Sequence, residues 1–130
     1  MNAKSIQVSA SIALVVGAGA LYAAPKPIEQ LDAYRQQGAE QADPARGRQL
    51  WYATANQRSC ISCHGEKPSS GGRHVKTGKA IEPMAPSVNP GRFQSAKKIE
   101  KWFLRNCKWT YGRECSTQEK ADILTWLAGQ

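Results

Sequence analysis

Cys60-Ile61-Ser62-Cys63-His64 stands near the middle of a 130-residue chain, and its reading decides how the rest is read. Two thiols three residues apart lie about one helical turn from each other, so both can add across the two vinyl groups of one porphyrin. The histidine that follows the second thiol is then carried under the iron as its proximal ligand. The run therefore reads as covalent attachment of a single c-type haem by Cys60 and Cys63, with His64 on the iron. A zinc knuckle would want a second paired half, and a dithiol redox centre would want βαβ patterning. Neither is visible in the sequence.

After the motif the chain is loop-like. Pro68-Ser69-Ser70-Gly71-Gly72 is a flexible composition, and Pro83, Pro86 and Pro90 forbid a regular helix or central strand. So long an irregular stretch makes sense wrapped around a porphyrin, which supplies the apolar surface it packs on. From Ser95 a helix is expected. Ile99, Trp102, Phe103 and Asn106 fall at i, i+3, i+4 and i+7, and would share one face. Lys97, Lys98, Glu100 and Lys101 take the wet side, and Cys107 ends the helix. Trp109, Tyr111 and Gly112 then turn the chain back to Cys115. Ser116-Thr117-Gln118-Glu119 is a capping box that opens a last helix, on which Ile123, Trp126 and Leu127 share a face.

Upstream of the motif, Ile28, Leu31 and Tyr34 recur at helical spacing within residues 27–38. Asp43-Pro44 reads as an N-cap with proline at the first helical position, and that second helix is expected to run to about Ala55. Gly47 and Trp51 lie four apart on one of its faces, where glycine lets another backbone approach. The expectation is a mainly α-helical domain. A helix bearing Gly-x-x-x-aromatic against an aromatic-bearing C-terminal helix resembles the class I cytochrome c arrangement, and that likeness implies that the two helices cross.

The first segment does not belong to that domain. Lys4, an apolar centre at residues 12–21 and small residues near its end describe a secretory signal peptide. The apolar centre is short for a membrane span and interrupted by glycines. Residues 1–23 are read as the signal, cleaved after Ala20 or Ala23, and residues 24–130 as one haem-bearing domain. Export places the protein in the periplasm, an oxidising compartment that lets Cys107 and Cys115 pair. The formal net charge is +8, which suits an acidic redox partner or an anionic surface. Nucleic acid is a poor partner for an exported haem protein. No basic helix stands out from the sequence, so a solvated basic surface is the plain reading of the charge.

The face of the iron opposite His64 is the open question. Met84 is the only methionine beyond the signal, lies twenty residues after His64, and is either a ligand or a loop residue packed against the haem edge. His74 reads as a bis-histidine partner or as a surface residue. Lys76 and Lys79 are ligands only if deprotonated, which is costly for lysine. Asn106 is an amide on an otherwise apolar face, which needs a partner when buried. It reads either as an iron ligand or as a helix C-terminal asparagine satisfying the backbone.

Several runs together carry a more specific likeness: Arg46-Gly47-Arg48, the haem motif, the stretch from Thr77 through Met84 to Pro86, and Arg92-Phe93. To these are added Glu100-Lys101-Trp102-Phe103-Leu104-Arg105-Asn106-Cys107, Gly112-Arg113-Glu114-Cys115, and Glu119-Lys120-Ala121-Asp122 with Trp126-Leu127. They resemble the SHP-type high-spin monohaem cytochromes c, also catalogued as a domain of unknown function, over most of the chain after Gln30. The resemblance implies that Asn106 is the sixth ligand of ferric haem and that Cys107 and Cys115 form a disulfide. It implies that the asparagine leaves on reduction, so that ferrous iron binds dioxygen, carbon monoxide or nitric oxide. It also implies electron donors of the dihaem cytochrome c and membrane cytochrome b kinds. A member of that family has leucine where this chain has Met84, so the position need not be a ligand, but a methionine there leaves a rival.

The function expected is that of an exported monohaem cytochrome that accepts an electron and binds a small diatomic ligand at a redox-labile position. The rivals are a simple electron carrier with His64/Met84 ligation, a diatomic sensor or scavenger, and a reductase or peroxidase. No distal acid–base group is placed by spacing, which counts against the last.

Overall fold

The computed structural model describes residues 28–130. The signal-peptide reading of residues 1–23 lies outside the described residues. Five helices and one minimal hairpin make up the domain: α1 (Glu29–Gln36), α2 (Pro44–Tyr52), α3 (Ile61–His64), β1 (Gly72–Arg73), β2 (Ala80–Ile81), α4 (Ala96–Tyr111) and α5 (Thr117–Ala128). No described helix is long and apolar enough to cross a membrane.

The crossing of α2 and α5 is the structural centre, and its closeness is written into one glycine. A Cβ on Gly47 would stand 2.5 Å from the Asp122 carbonyl carbon and 2.9 Å from the Ile123 amide nitrogen. Only a residue without a side chain lets the two backbones meet there. Trp51, one turn on, packs with Ile123, Trp126 and Leu127. Both helix starts are capped as the sequence expects. The Asp43 carboxylate accepts from the amides of Ala45 (2.8 Å) and Arg46 (3.4 Å). Ser116 Oγ accepts from the Glu119 amide at 3.1 Å, and Glu119 returns an acceptor to the Ser116 amide at 2.8 Å. α2 stops at Tyr52 rather than Ala55, three residues short of the expected end.

A polar clasp locks this crossing. Asp122 is 2 % exposed, and it accepts from Arg46 Nε at 2.8 Å and Arg46 Nη2 at 3.1 Å. The Asp43 amide (2.7 Å) and the Gln118 side-chain amide (2.8 Å) complete its shell. A buried carboxylate is tolerable only with such satisfaction. Burial alone would raise its pKa; the Arg46 guanidinium and the two amides outweigh that and hold it below the ordinary carboxylate range.

The other face of α5 closes a second core of Tyr34, Ile99, Ala121 and Leu124, with Phe103 and Phe93 packed against both cores. Here the structure corrects the reading of α4 in three ways. The helix does not end at Cys107 but continues to Tyr111, because no breaker intervenes before Gly112, which takes φ 72 as its left-handed cap. Glu100 is only partly on the wet side, its side chain 41 % exposed. It turns towards α1 and α5, accepting from Gln30 Nε2 at 2.9 Å, Lys120 Nζ at 2.8 Å and the Tyr34 hydroxyl. Trp102 does not share the buried face with Ile99: it is 50 % exposed, whereas Ile99 is 6 % exposed. The i+3 position lies far enough round the helix from the centre of the buried stripe to reach solvent.

Candidate haem site

The haem motif is entered through a tight turn. Ala55 and Arg58 exchange backbone hydrogen bonds of 2.8 Å each way, and Asn56 and Gln57 between them take φ values of 49 and 59. Ser59 follows, buried, and its amide and hydroxyl each meet Ser62 Oγ at 3.1 Å. These contacts start α3, with Cys60 already in helical conformation at its N-cap. The His64 amide donates to the Cys60 carbonyl at 3.1 Å, which places Cys60 and Cys63 on one turn. Neither is engaged in a disulfide. β1 presses directly against this turn: a Cβ on Gly72 would lie 2.7 Å from the His64 Cα and 2.9 Å from its carbonyl carbon.

His64 is set for ligation by its surroundings. The Trp51 ring lies 5.2 Å from it, tilted by 40°. Its Nδ1 is buried without a hydrogen-bond partner. Burial, with the Arg92 guanidinium adding to it, pushes the imidazole down to about 4, so the ring is neutral at physiological pH. A neutral, uncommitted imidazole is the form that coordinates a metal. Burial also pushes the Cys60 thiol up to about 11, with the Tyr111 hydroxyl beside it working in the other direction. The donor set therefore fits one covalent porphyrin: two unpaired thiols on a single turn and an unengaged imidazole directly after them. Among the described residues no group of three or more His, Cys, Asp or Glu side chains is gathered as a metal site, so the zinc alternative acquires no further ligands.

The candidates for the opposite face are distributed unequally. Met84 is partly buried against the cluster of Trp51, Ile123, Trp126 and Leu127. Its amide and that of Ala85 both donate to the Pro68 carbonyl, at 2.8 and 2.9 Å, which ties its loop to the segment four residues beyond His64. His74 is exposed in the β1–β2 connection, where Nδ1 accepts from the Thr77 amide at 3.2 Å and the Lys76 amide at 3.3 Å. Lys76 and Lys79 are exposed on the same connection. Asn106 lies in the interior of α4, half-buried, one turn from Phe103. It is not at a helix end, so the capping role open to it in the sequence does not apply. Next to it, Cys107 and Cys115 form a disulfide with Cα atoms 5.6 Å apart.

Three contributors escaped the sequence reading. Tyr111 joins the end of α4 to the site, its hydroxyl donating to the Leu50 carbonyl at 2.7 Å beside Cys60. Arg92 clamps the Met84 loop, donating to the carbonyls of Pro83 (2.7 Å) and Glu82 (2.6 Å). Gly72 is demanded by its approach to α3. Its Gly-Gly setting was the one available signal; the other two, a contact within one irregular loop and one between distant segments, are announced by no local pattern.

Comparison with known proteins agrees with this geometry. A family model described as a domain of unknown function (DUF1924) matches residues 37–127. The cytochrome c-type protein SHP of Cereibacter sphaeroides is 38 % identical over 124 residues, spanning 92 % of this chain and 95 % of that protein. Cytochrome c'' of Methylophilus methylotrophus is 38 % identical over 74 residues, 57 % of this chain and 51 % of its own length. Among solved structures, oxidised SHP, described as an oxygen-binding cytochrome c, superposes with a TM-score of 0.75 at 40 % identity, covering 81 % of this chain and 97 % of its own. Oxidised cytochrome c'' gives 0.65 at 26 % identity, covering 78 % and 94 %. With a two-thiol haem motif, the same fold and identity along nearly its whole length, the chain belongs to the SHP-type cytochromes c and carries covalent haem c.

Proposed function

We propose that this protein is an exported, periplasmic monohaem cytochrome in which His64 and Asn106 are the two protein ligands of ferric iron. On accepting an electron it releases Asn106 and binds a small diatomic ligand: dioxygen, nitric oxide or carbon monoxide. Cys60 and Cys63 carry the porphyrin by thioether bonds. The haem supplies an iron that changes charge by one unit and has affinity for such ligands when ferrous. The chain's own part is to set which donors compete for it.

The observation that carries this reading is the place of Asn106. A half-buried amide in a helix interior has no capping duty, and it stands in line with the inward-facing Phe103 and Ile99. An amide oxygen is a hard neutral donor that suits ferric iron better than ferrous, so reduction weakens it, whereas a thioether would hold. Met84 supports the same assignment from the other side. Its loop is bound to Pro68 and its side chain packs against the cluster of Trp51, Ile123, Trp126 and Leu127, whose Trp51 ring lies beside His64. That surrounding suits a packing residue beside the proximal histidine.

Absorption spectra of the oxidised and reduced holoprotein test the reading. Asn106→Ala is expected to alter the ferric spectrum and Met84→Leu to leave it in place, while the ferrous protein changes rapidly with carbon monoxide. The far-red band of methionine-ligated ferric haem, or a ferric spectrum indifferent to Asn106→Ala, would sink the assignment and return the protein to simple electron transfer.

A further inference from the structure

We infer that the outward face of α4 is the docking surface for an acidic electron-donor protein, a step that rests on the electron-accepting part of the function proposed above. Five cations stand on this helix: Lys97, Lys98, Lys101, Arg105 and Lys108, all exposed. Its one carboxylate, Glu100, is turned away to Gln30, Tyr34 and Lys120. Lys108 pairs with Glu114 at 3.1 Å; the other four enter no salt bridge among the described residues. The positive charge from Lys97 to Arg105 is therefore uncompensated over about two turns of helix.

At the margin of the stripe stands a half-exposed aromatic. Trp102 is 50 % exposed, with Lys101 Nζ 5.4 Å and the Arg105 guanidinium carbon 5.6 Å from its ring centroid. Leu104, 42 % exposed, lies on the same helix. Tryptophan and arginine are among the residue types that carry most of the energy of protein–protein contacts. The rim charges steer an oppositely charged partner. Trp102 is also one helical turn from Asn106, so a protein seated on it stands close to the site that must receive the electron. An anionic membrane surface is a poorer occupant. A helix that lies on lipid presents a continuous apolar face outward, whereas on α4 Ile99, Phe103 and Cys107 are turned into the protein and the exposed Trp102 and Leu104, two residues apart, stand on different sides of the helix.

The test is stopped-flow reduction of the ferric holoprotein by a reduced acidic plant-type ferredoxin, used as the probe, over a range of ionic strength. Lys101→Glu/Arg105→Glu is compared with Lys76→Glu/Lys79→Glu, an equal change of charge placed on the exposed β1–β2 connection. The α4 pair is expected to cut the low-salt rate constant by about tenfold and to flatten its salt dependence, the hairpin pair by no more than about threefold. Trp102→Ala is expected to slow the reaction at high salt as well. Equal losses in the two pairs would mean that net charge alone steers the encounter, and would overturn the proposal. So would an unchanged rate in the α4 pair, or loss of binding to phosphatidylglycerol vesicles with no effect on ferredoxin. Dithionite reduction is run alongside: if dithionite reduces the protein and ferredoxin does not, the docking surface falls. If neither reduces it, the electron-accepting function itself falls.

Discussion

Gly47→Ala is a demanding test of the α2–α5 crossing, because two effects of opposite sign meet at one atom. In an isolated helix the change is favourable, by up to about 1 kcal/mol of backbone entropy. In this fold the new methyl would stand 2.5 Å from the Asp122 carbonyl carbon and 2.9 Å from the Ile123 amide nitrogen, where carbon contacts settle at about 3.5–4 Å. The obstacle is helix backbone, which cannot rotate aside, so α2 and α5 must part by about 1 Å. A gap of that size forfeits a quarter to a half of each dispersion contact across it. Four side chains depend on the crossing, Trp51, Ile123, Trp126 and Leu127, each contributing about 1.5–3 kcal/mol by burial. A loss of about 3 kcal/mol, less the propensity gain, leaves a net destabilisation of about 2 kcal/mol and a fall in Tm of roughly 10 °C. Urea unfolding of the holoprotein, followed by far-ultraviolet circular dichroism and Soret absorbance, would measure it. Gly129→Ala is the control, since its φ is −89 and its nearest neighbour, the Trp126 carbonyl oxygen, lies at 3.6 Å. That control is expected within about 0.5 kcal/mol of the parent. A Gly47→Ala protein as stable as the parent would refute the reasoning, since propensity would then outweigh the supposed collision.

The acid response should follow Asp122. Its folded pKa is depressed, so its contribution is fully present above the unfolded value of about 4 and is lost as pH falls through the lowered folded value. Stability measured by urea titration is expected to decline below about pH 4, and Asp122→Asn to start lower and decline less steeply. A parallel decline in the two proteins would remove Asp122 as the cause. Gly72→Ala should act at the haem instead, because its methyl would meet the His64 Cα at 2.7 Å. The expected outcome is a reduced yield of haem-loaded protein, read from the ratio of Soret to protein absorbance, with a normal ratio counting against the contact.

Much of this fold could be read locally. The Asp43-Pro44 start, the Ser116–Glu119 box and the Gly47/Trp51 pair each depend on neighbours within one turn of helix, and each stands where the sequence puts it. What could not be read depends on distant partners. The extension of α4 through Trp109 to Tyr111 was hidden because Cys107, bound for a disulfide, looked like an ending. Glu100 among lysines looked like a free surface charge, and only the arrival of Tyr34 and Lys120 from α1 and α5 makes it an acceptor between helices. The β1–β2 pair, two residues per strand, is too short to leave an alternating pattern. For the site, the haem anchors were plain in five consecutive residues, whereas the Arg92 clamp closes a loop over nine and ten residues and the Tyr111 hydroxyl reaches back 61 residues to Leu50.

The continuation of α4 past Asn106 also bears on how quickly that amide can let go of anything it holds. A ligand carried on a loop is released when the loop moves, over nanoseconds to microseconds, and its return waits for the loop to close. Asn106 has a full turn of helix on either side. Its helix is pinned ahead by Glu100 to two other helices and behind by the Cys107–Cys115 bridge. The backbone therefore has little freedom to withdraw, and the amide departs and returns by turning about χ1 and χ2 alone. Turning about those two angles needs no refolding of its surroundings. In the function proposed above, departure of the amide on reduction and its return would thus leave the helix and its anchors in place.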